Sequence, residues 1–464
     1  MVFSDPAFLF LFLPIVLALL LFAKRNVFLA LLFVFSIWFY FWTAQEITFV
    51  LLFYAIFNWL ISFYLQRKPV LIFALLVNFS ILFVFKYLGF FAQNIEAVSK
   101  IEFSESIMGI ALPIGISFYA FQSASYCIDV YRKEVIPNKN PLLYFSYLCF
   151  FPQLIAGPII RYSDVFKDFL EPARSVTNVY NGSLRFLHGL GKKVIVADTC
   201  GLIADQAFSV PAQELTFASA WIGTFAYTLQ IYFDFSGYSD MAIGIGLILG
   251  IRFKENFRRP YSSSSITEFW RRWHISLSSW FRDYLYIPLG GNRGGVFNTY
   301  RNLALVFLVT GIWHGANWTF ILWGIMHGTL LISERLILKN KQTESVPLRV
   351  FYVIPVVMVS WVLFRADSVS QFTNFISHMF LFEGFDITLH SQILTSMTWI
   401  SWVLLALGSI VFILPRNFIV ENWMINAQGS AIEGVKMAYG ILLMLVLGVL
   451  VLNSNYSPFL YFQF

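Results

Sequence analysis

Six histidines are spread over 464 residues: His188, His274, His314, His327, His378 and His390. Imidazole is the one side chain that titrates near neutral pH without perturbation, and ionisable groups in apolar surroundings are costly, so position ranks them. His314 stands in Gly311-Ile-Trp-His-Gly-Ala-Asn317, between apolar stretches 303–312 and 318–326. An imidazole there binds something, lines a wet cavity or is hydrogen-bonded between helices. Gly311 and Gly315 form a small-x-x-x-small pair, which allows another helix to approach closely. His274 lies in Phe269-Trp-Arg-Arg-Trp-His-Ile-Ser-Leu-Ser278, where it faces a cavity or rests among lipid headgroups. His327 is a third candidate, for which an interhelical hydrogen bond is the simpler reading. His188 neighbours Lys192 and Lys193 at an interface, and His378 and His390 fall in a loop. No nucleophilic Ser or Cys accompanies His314, and the chain has no Walker loop, H-E-x-x-H or G-x-S-x-G motif, which argues against an intramembrane protease or a serine acylase. A buried histidine without a nucleophile suits general-base catalysis: it takes the proton of a hydroxyl that attacks a thioester carbonyl. A second histidine would orient the donor or stabilise the oxyanion, and a narrow pore would protect the thioester from water.

Two acidic residues, Asp234 and Asp240, lie six apart in Tyr232-Phe-Asp-Phe-Ser-Gly-Tyr-Ser-Asp-Met241. They bind a cation, orient a histidine or cap a broken helix, and capping is the simplest of these because Asp and Ser favour helix N-termini. Cys127, Cys149 and Cys200 form no C-x-x-C pair and sit in apolar context, so they read as small core residues. No metal-ligand spacing is present.

These residues must be positioned inside lipid. The chain is 58% hydrophobic, 19% aromatic and only 12% charged, whereas soluble domains carry about 25% charged residues. Apolar runs of spanning length recur at 7–22, 27–43, 47–65, 69–91, 107–128, 217–233, 237–251, 303–313 with 317–333, 350–364, 398–415 and 437–453. The stretches 142–157 and 184–205 carry charges or prolines and suit re-entrant or tilted pieces. The expected architecture is all-α: a polytopic single domain over 1–464, with roughly ten to twelve membrane segments. The first run lacks the charge order of a signal peptide and reads as a retained helix with its N-terminus outside. Basic turns at Lys24-Arg25, Arg67-Lys68, Arg132-Lys133, Lys339-Lys341 and Arg416 alternate with acidic or neutral ones. That places 339–349 inside and 365–396, with His378, Glu383, Asp386 and His390, outside.

The segment 252–301 breaks the apolar pattern. Its nine Lys/Arg against three Asp/Glu give +6, the formal charge of the whole chain. A cytoplasmic loop in contact with anionic headgroups accounts for this, and an acidic partner or anionic thioester donor would suit it equally. Within it Ile266, Phe269, Trp270, Trp273, Leu277, Trp280, Phe281 and Tyr284 recur at helical spacing. They predict one amphipathic helix, N-capped by Ser262 to Ser265 and ended by Pro288, Gly290 and Gly291, lying in the interface or under the bundle.

The run from Trp270 through His274 to Asn292-Arg, followed by Gly311-Ile-Trp-His314-Gly-Ala-Asn317-Trp, resembles the membrane-bound O-acyltransferase family. Met1-Val-Phe-Ser, Ala156-Gly-Pro-Ile159 and Tyr232 to Met241 are similar to its bacterial alginate O-acetyltransferase branch. The resemblance spans the first residue to about 335. It implies a multi-helix fold around a central funnel or tunnel, with His314 at the position of the catalytic histidine and His274 at that of the second histidine. Trp273, Trp313, Asn317 and Asp240 are the expected tunnel or substrate residues; no metal and no bound cofactor are expected. The implied function is relay of an acetyl group from a cytoplasmic thioester, acetyl-CoA or another, toward an exported polysaccharide or cell-wall glycan. The implied setting is the bacterial cytoplasmic membrane, with membrane lipid and a separate extracytoplasmic O-acetyltransferase as partners and no nucleic acid. The teichoic-acid D-alanylation branch shares the Trp-His motifs, so transfer from an acyl carrier protein is the alternative. From a different class, a secondary transporter would also bury Asp234, Asp240 and histidines; it predicts related halves, and no second copy of the Trp-His-Gly segment occurs.

Overall fold

The computed structural model describes residues 3–99, 103, 109–338, 345–380, 387–414, 429–453 and 459–460. Lys339, Lys341, Glu383, Asp386 and Arg416 lie outside these residues. Among the described residues every regular element is helical, as a lipid-embedded chain requires if its backbone groups are to be paired within each segment. Among the described residues five stretches are long and apolar enough to cross a membrane: Val27–Ser62, Lys68–Lys86, Trp318–Ile337, Val346–Arg365 and Ser430–Asn453. Phe8–Phe22 and Trp399–Ile413 are shorter apolar helices. The protein is therefore a multi-pass, all-α membrane protein.

The chain divides into two compact units. The first comprises Met1–His188, Tyr238–Glu255 and Val451–Gln463. Its helices are α1 (Leu13–Phe22), α2 (Arg25–Ala44), α3 (Thr48–Ser62), α4 (Lys68–Lys86), α5 (Leu88–Ser99), α6 (Ile116–Tyr131), α7 (Pro141–Leu148), α8 (Tyr162–Leu170) and α9 (Val176–Gly191), the last of which runs into the second unit. Polar pins fix their register. Asn58 of α3 and Asn78 of α4 exchange amide hydrogen bonds at 2.9 and 2.8 Å. Arg174 donates to the carbonyls of Leu20, Leu21 and Ala23 at 2.7 to 3.0 Å, pairing acceptors that the end of α1 leaves over. The three cysteines are reduced and buried, as expected.

The second unit, Gly189–Gly237 with Asn256–Leu450, contains α10 (Asp198–Ser209), most of α11 (Phe217–Leu249), α12 (Ile266–Arg272), α13 (Ile275–Phe281), α14 (Gly295–His314), α15 (Trp318–Leu338), α16 (Ile354–Arg365), α17 (Val369–Phe380), α18 (Trp399–Ile413) and α19 (Ser430–Asn453). Helix α11 overturns one expectation. The stretches 217–233 and 237–251 are one unbroken helix of 33 residues, about 50 Å long at 1.5 Å per residue. Asp234 and Asp240 are interior to it and cap nothing. Each is buried against a cation instead. Asp234 faces Lys193 at 2.9 Å in the second unit, and Asp240 faces Arg185 at 2.5 Å in the first. Lys193 also holds Asp198 at 2.6 Å, and Arg185 holds Glu255 at 2.7 Å. Their partners come from elements far away in sequence, which local capping arguments cannot see.

Candidate active site

The aromatic stripe of the basic segment does not form one helix. Helix α12 starts with Ser265 accepting from the Glu268 backbone N–H at 3.0 Å while Glu268 accepts from the Ser264 N–H at 2.9 Å, a capping arrangement read correctly from the serines. Glu334 of α15 adds a second anchor. Its buried carboxylate accepts from the Ile266 and Thr267 N–H groups, from the Thr267 hydroxyl at 2.7 Å and from Tyr352 at 3.1 Å. The helix then ends at Trp273, which is extended (φ −97°, ψ 129°). His274 takes the left-handed conformation (φ 44°, ψ 56°) before α13 begins. Hydrophobic periodicity records which side a residue faces and carries no information on φ, and neither Gly nor Pro marks the break. Phe269, Trp270, Trp273, Leu277, Trp280 and Phe281 are buried in the unit rather than spread along an interface.

Left-handed backbone costs an L-residue roughly 1–2 kcal/mol, so neighbouring contacts must impose it at His274. Asn256 supplies them. Its backbone carbonyl accepts from the Ile275 N–H at 2.9 Å. Its side-chain Oδ1 accepts from the Ser276 N–H at 3.2 Å and the Ser276 hydroxyl at 2.9 Å, and lies 3.2 Å from His274 Nδ1. The Ser276 N–H can only donate, which fixes the amide oxygen toward this cluster. Nδ1 of His274 therefore donates, and the ring lone pair is on Nε2. His274 is fully buried and lies outside the five apolar spans. Burial pushes its pKa down to about 3 from the ordinary 6.5, so it is a neutral hydrogen-bond acceptor at physiological pH.

His314 is the last residue of α14, at the tip of a hairpin with α15. The two helices cross at Gly311 and Gly324. A Cβ on Gly311 would come 3.1 Å from the Gly324 Cα and would strike the Phe320 carbonyl. Gly311 thus permits the close approach expected of it, with Gly324 as counterpart, whereas Gly315 makes room for the Phe320 ring. The buried His314 ring has edge contacts with Trp313, Trp323 and Phe364, at centroid distances of 4.9, 5.0 and 5.1 Å. Trp313 also contacts His274 at 6.2 Å. One indole thus touches both histidines that the sequence singles out.

His327, on α15, is fully buried. Its Nδ1 accepts from the Trp270 indole N–H at 3.2 Å, and its ring lies 4.8 Å from Trp323. An indole N–H only donates, so the neutral His327 ring carries its proton on Nε2, the opposite tautomer to His274. Among the described residues, neither Nε2 of His327, nor the indole nitrogen of Trp323, nor the Thr319 hydroxyl has a hydrogen-bond partner. Leaving a buried donor unsatisfied costs about 1–3 kcal/mol.

A cavity of about 500 Å³ opens between α12, α13, α14 and α15. Trp270, Phe307 and Thr310 line it, along with Arg271, Arg282 and Arg335. Trp270 and Phe307 contact His327, and Thr310 lies one turn before His314. The cavity therefore combines a cationic rim with an aromatic wall shared with the histidine cluster, a form that suits an anionic ligand with an apolar arm.

The remaining expected residues are distributed unevenly. Trp273 is buried against Trp361 at 4.8 Å and Phe257 at 5.0 Å. Asn317 caps α15 by accepting from the Thr319 N–H at 3.1 Å, and it donates to the Asp367 carbonyl at 2.9 Å. Asp240 belongs to the other unit, where Arg185 engages it. Trp323, Phe364 and Glu334 were not anticipated. Glu334 had a readable signal, a carboxylate seven residues after His327 in an apolar run; the two aromatics did not, amid 53 Phe and 14 Trp.

Comparison with known proteins identifies the family. The profile of the membrane-bound O-acyltransferase family matches residues 132–377. A probable alginate O-acetylase, AlgI, of Azotobacter vinelandii is 41% identical over the full length of both chains. The peptidoglycan O-acetyltransferase of Helicobacter pylori is 33% identical, over 100% of this chain and 98% of its own. The teichoic acid D-alanyltransferase of Bacillus subtilis is 31% identical over half of this chain and 62% of its own. The chain belongs to the membrane-bound O-acyltransferase family and is an O-acyltransferase. Within that family it falls in the branch like the alginate O-acetylases.

Proposed function

We propose that this protein relays acetyl groups from a cytoplasmic thioester across the bacterial cytoplasmic membrane, toward O-acetylation of an exported polysaccharide or cell-wall glycan. The observation that carries the proposal is the pair His274 and His314 on one indole, beside a cavity with three arginines at its rim. Arg271, Arg282 and Arg335 would hold the anionic part of the donor, and the aromatic wall its acyl-bearing arm. The site would lie in a funnel bounded by the ten to twelve membrane segments. His314 acts as general base. It takes the proton of the incoming hydroxyl, the hydroxyl oxygen attacks the thioester carbonyl, and the proton passes to the departing thiolate. His274, neutral with its lone pair on Nε2, orients the hydroxyl. Buried aromatic rings around His314 exclude the water that would otherwise hydrolyse the thioester. Trp273, Trp313 and Asn317 shape this chamber. A separate extracytoplasmic O-acetyltransferase completes delivery to the glycan.

The likeness of half the chain to a teichoic acid D-alanyltransferase supports a second donor, an acyl carrier protein, whose acidic surface would meet the basic segment. Proteoliposomes supplied with radiolabelled acetyl-CoA, with or without envelope extract, test the proposal. Transfer by the wild type and its loss in an equally folded His314→Ala variant support it. Transfer only from an acylated carrier protein moves the assignment to the second donor, and equal transfer by His314→Ala removes that residue as the base.

A further inference from the structure

Helix α15 carries a line of buried polar groups that the mechanism above does not use. Thr319, Trp323 and His327 recur at i, i+4 and i+8, so they share one helical face. All three are fully buried. Each holds one side-chain N or O atom without a hydrogen-bond partner among the described residues. Their surroundings are aromatic: Trp323 contacts His314 at 5.0 Å, His327 at 4.8 Å and Phe364 at 5.3 Å. Donors buried in this way are satisfied by an internal water or by a ligand oxygen. The Trp270 indole fixes His327 as the Nε2–H tautomer, and the Trp323 nitrogen can only donate. Two neutral N–H groups therefore lie on one helical face, and the ring that carries the first contacts the ring assigned as the base.

We propose that Trp323 and His327 form the oxyanion-binding element of the acyl transfer. This inference rests on the proposed function. A carbonyl oxygen of the thioester donor accepts from the Trp323 indole N–H and from His327 Nε2–H. As the acceptor hydroxyl oxygen bonds to the carbonyl carbon, negative charge develops on that oxygen and the two donors stabilise it. The C–S bond then breaks, the carbonyl re-forms, and the proton first taken by His314 goes to the thiolate. Thioester and alcohol become ester and thiol with no other reactant. His327 serves as a neutral donor throughout and gives up no proton. Stabilisation of this kind acts where charge appears in the transition state, so it governs kcat and leaves donor binding nearly unchanged.

Trp323→Phe separates the donor from the ring, because it keeps an aromatic side chain and removes only the indole N–H. Removing one oxyanion donor lowers kcat by roughly 10²–10³-fold. In proteoliposomes with a saturating acyl donor, Trp323→Phe and His327→Phe are each expected to lose kcat on that scale. The KM for donor should stay within about threefold of wild type, and the melting transition in detergent within a few degrees. His327→Gln, which can accept from Trp270 and donate from its own amide, is expected to recover at least ten times the activity of His327→Phe. The pH–rate profile of His327→Gln should keep its wild-type midpoints, since a neutral donor adds no titration. Near-wild-type kcat in Trp323→Phe overturns the proposal. So does a Gln variant as inactive as the Phe variant with both folded, or a loss expressed wholly in KM. His314→Ala run in parallel distinguishes the failures. If it alone is inactive, the base assignment stands and the oxyanion element falls; if it too is active, the proposed function falls first.

Discussion

Replacing Asn256 should uncouple His274 from the site without touching either catalytic assignment directly. The Asn256 Oδ1 receives the Ser276 N–H, the Ser276 hydroxyl and His274 Nδ1–H at 2.9 to 3.2 Å. Asn256→Ala removes all three acceptor contacts. At about 1 kcal/mol net per neutral hydrogen bond, the loss is about 3 kcal/mol. The left-handed backbone of His274 then has less to hold it, and the local strain adds to the loss. For a unit of this size, 1 kcal/mol moves the midpoint by about 2–4 °C, so melting should fall by about 6–12 °C. Acyl transfer should drop further than stability, because His274 Nε2 is no longer aimed and either tautomer becomes accessible. Asn256→Asp gives a different signature. It restores an acceptor and places a carboxylate against Nδ1, which raises the His274 pKa from its depressed value near 3. Its pH–rate profile should therefore gain a limb at acidic pH that the wild type lacks. Thermal scanning of purified protein, paired with proteoliposome assays from pH 5 to 8, reads both effects. Wild-type melting and activity in Asn256→Ala would refute the reasoning that this amide positions His274.

Further outcomes follow from the same geometry. His274 is neutral in the folded protein with a pKa near 3, against 6.5 unfolded; its contribution is complete above pH 6.5 and is lost as pH falls toward 3. Stability should decline by about 2 kcal/mol by pH 5, and His274→Asn should flatten that slope in pH-dependent melting. Gly324→Leu forces α14 and α15 apart where their backbones touch; overpacking costs about 1–3 kcal/mol, and transfer should be nearly abolished because His314 sits one turn beyond the crossing. Arg271→Ala combined with Arg335→Ala should raise the donor KM severalfold with little change in kcat, measured by initial rates across donor concentration. Asp240→Asn removes one of the two carboxylates that hold the buried Arg185 and leaves Glu255 in place, so yield and melting temperature should fall together, by less than the about 3–5 kcal/mol that a wholly unpaired buried charge costs.

The all-helical membrane class was legible because apolar run length is a feature a sequence displays directly, and His314 stands out as an ionisable residue inside such a run, whereas His274 is marked only by its place in an aromatic stripe of the basic segment. The cap at Ser265 was legible for the same reason, being local. What stayed hidden was set by partners distant in the chain. Asp234 and Asp240 read as caps because nothing near them in sequence announces Lys193 or Arg185. The stripe from Ile266 to Tyr284 read as one helix because its periodicity is sound on both sides of the break, while the left-handed turn at His274 is imposed by Asn256, eighteen residues earlier. His327 looked like a simple interhelical histidine, and it does make that bond; the tautomer that the bond selects emerges only once Trp270 is identified as the donor.

In the first unit, the buried Tyr238 ring is stacked on Phe3 at 4.6 Å and met edge-on by Phe459 at 5.0 Å. These two rings come from segments far apart in the sequence. During synthesis the opening helices therefore insert with an aromatic socket still incomplete, and the second unit's helices are all made before the piece that closes it. Closure of this socket is thus a late step of folding in the first unit, and Phe459→Ala should leave the earlier helices in place while loosening the packing around Tyr238.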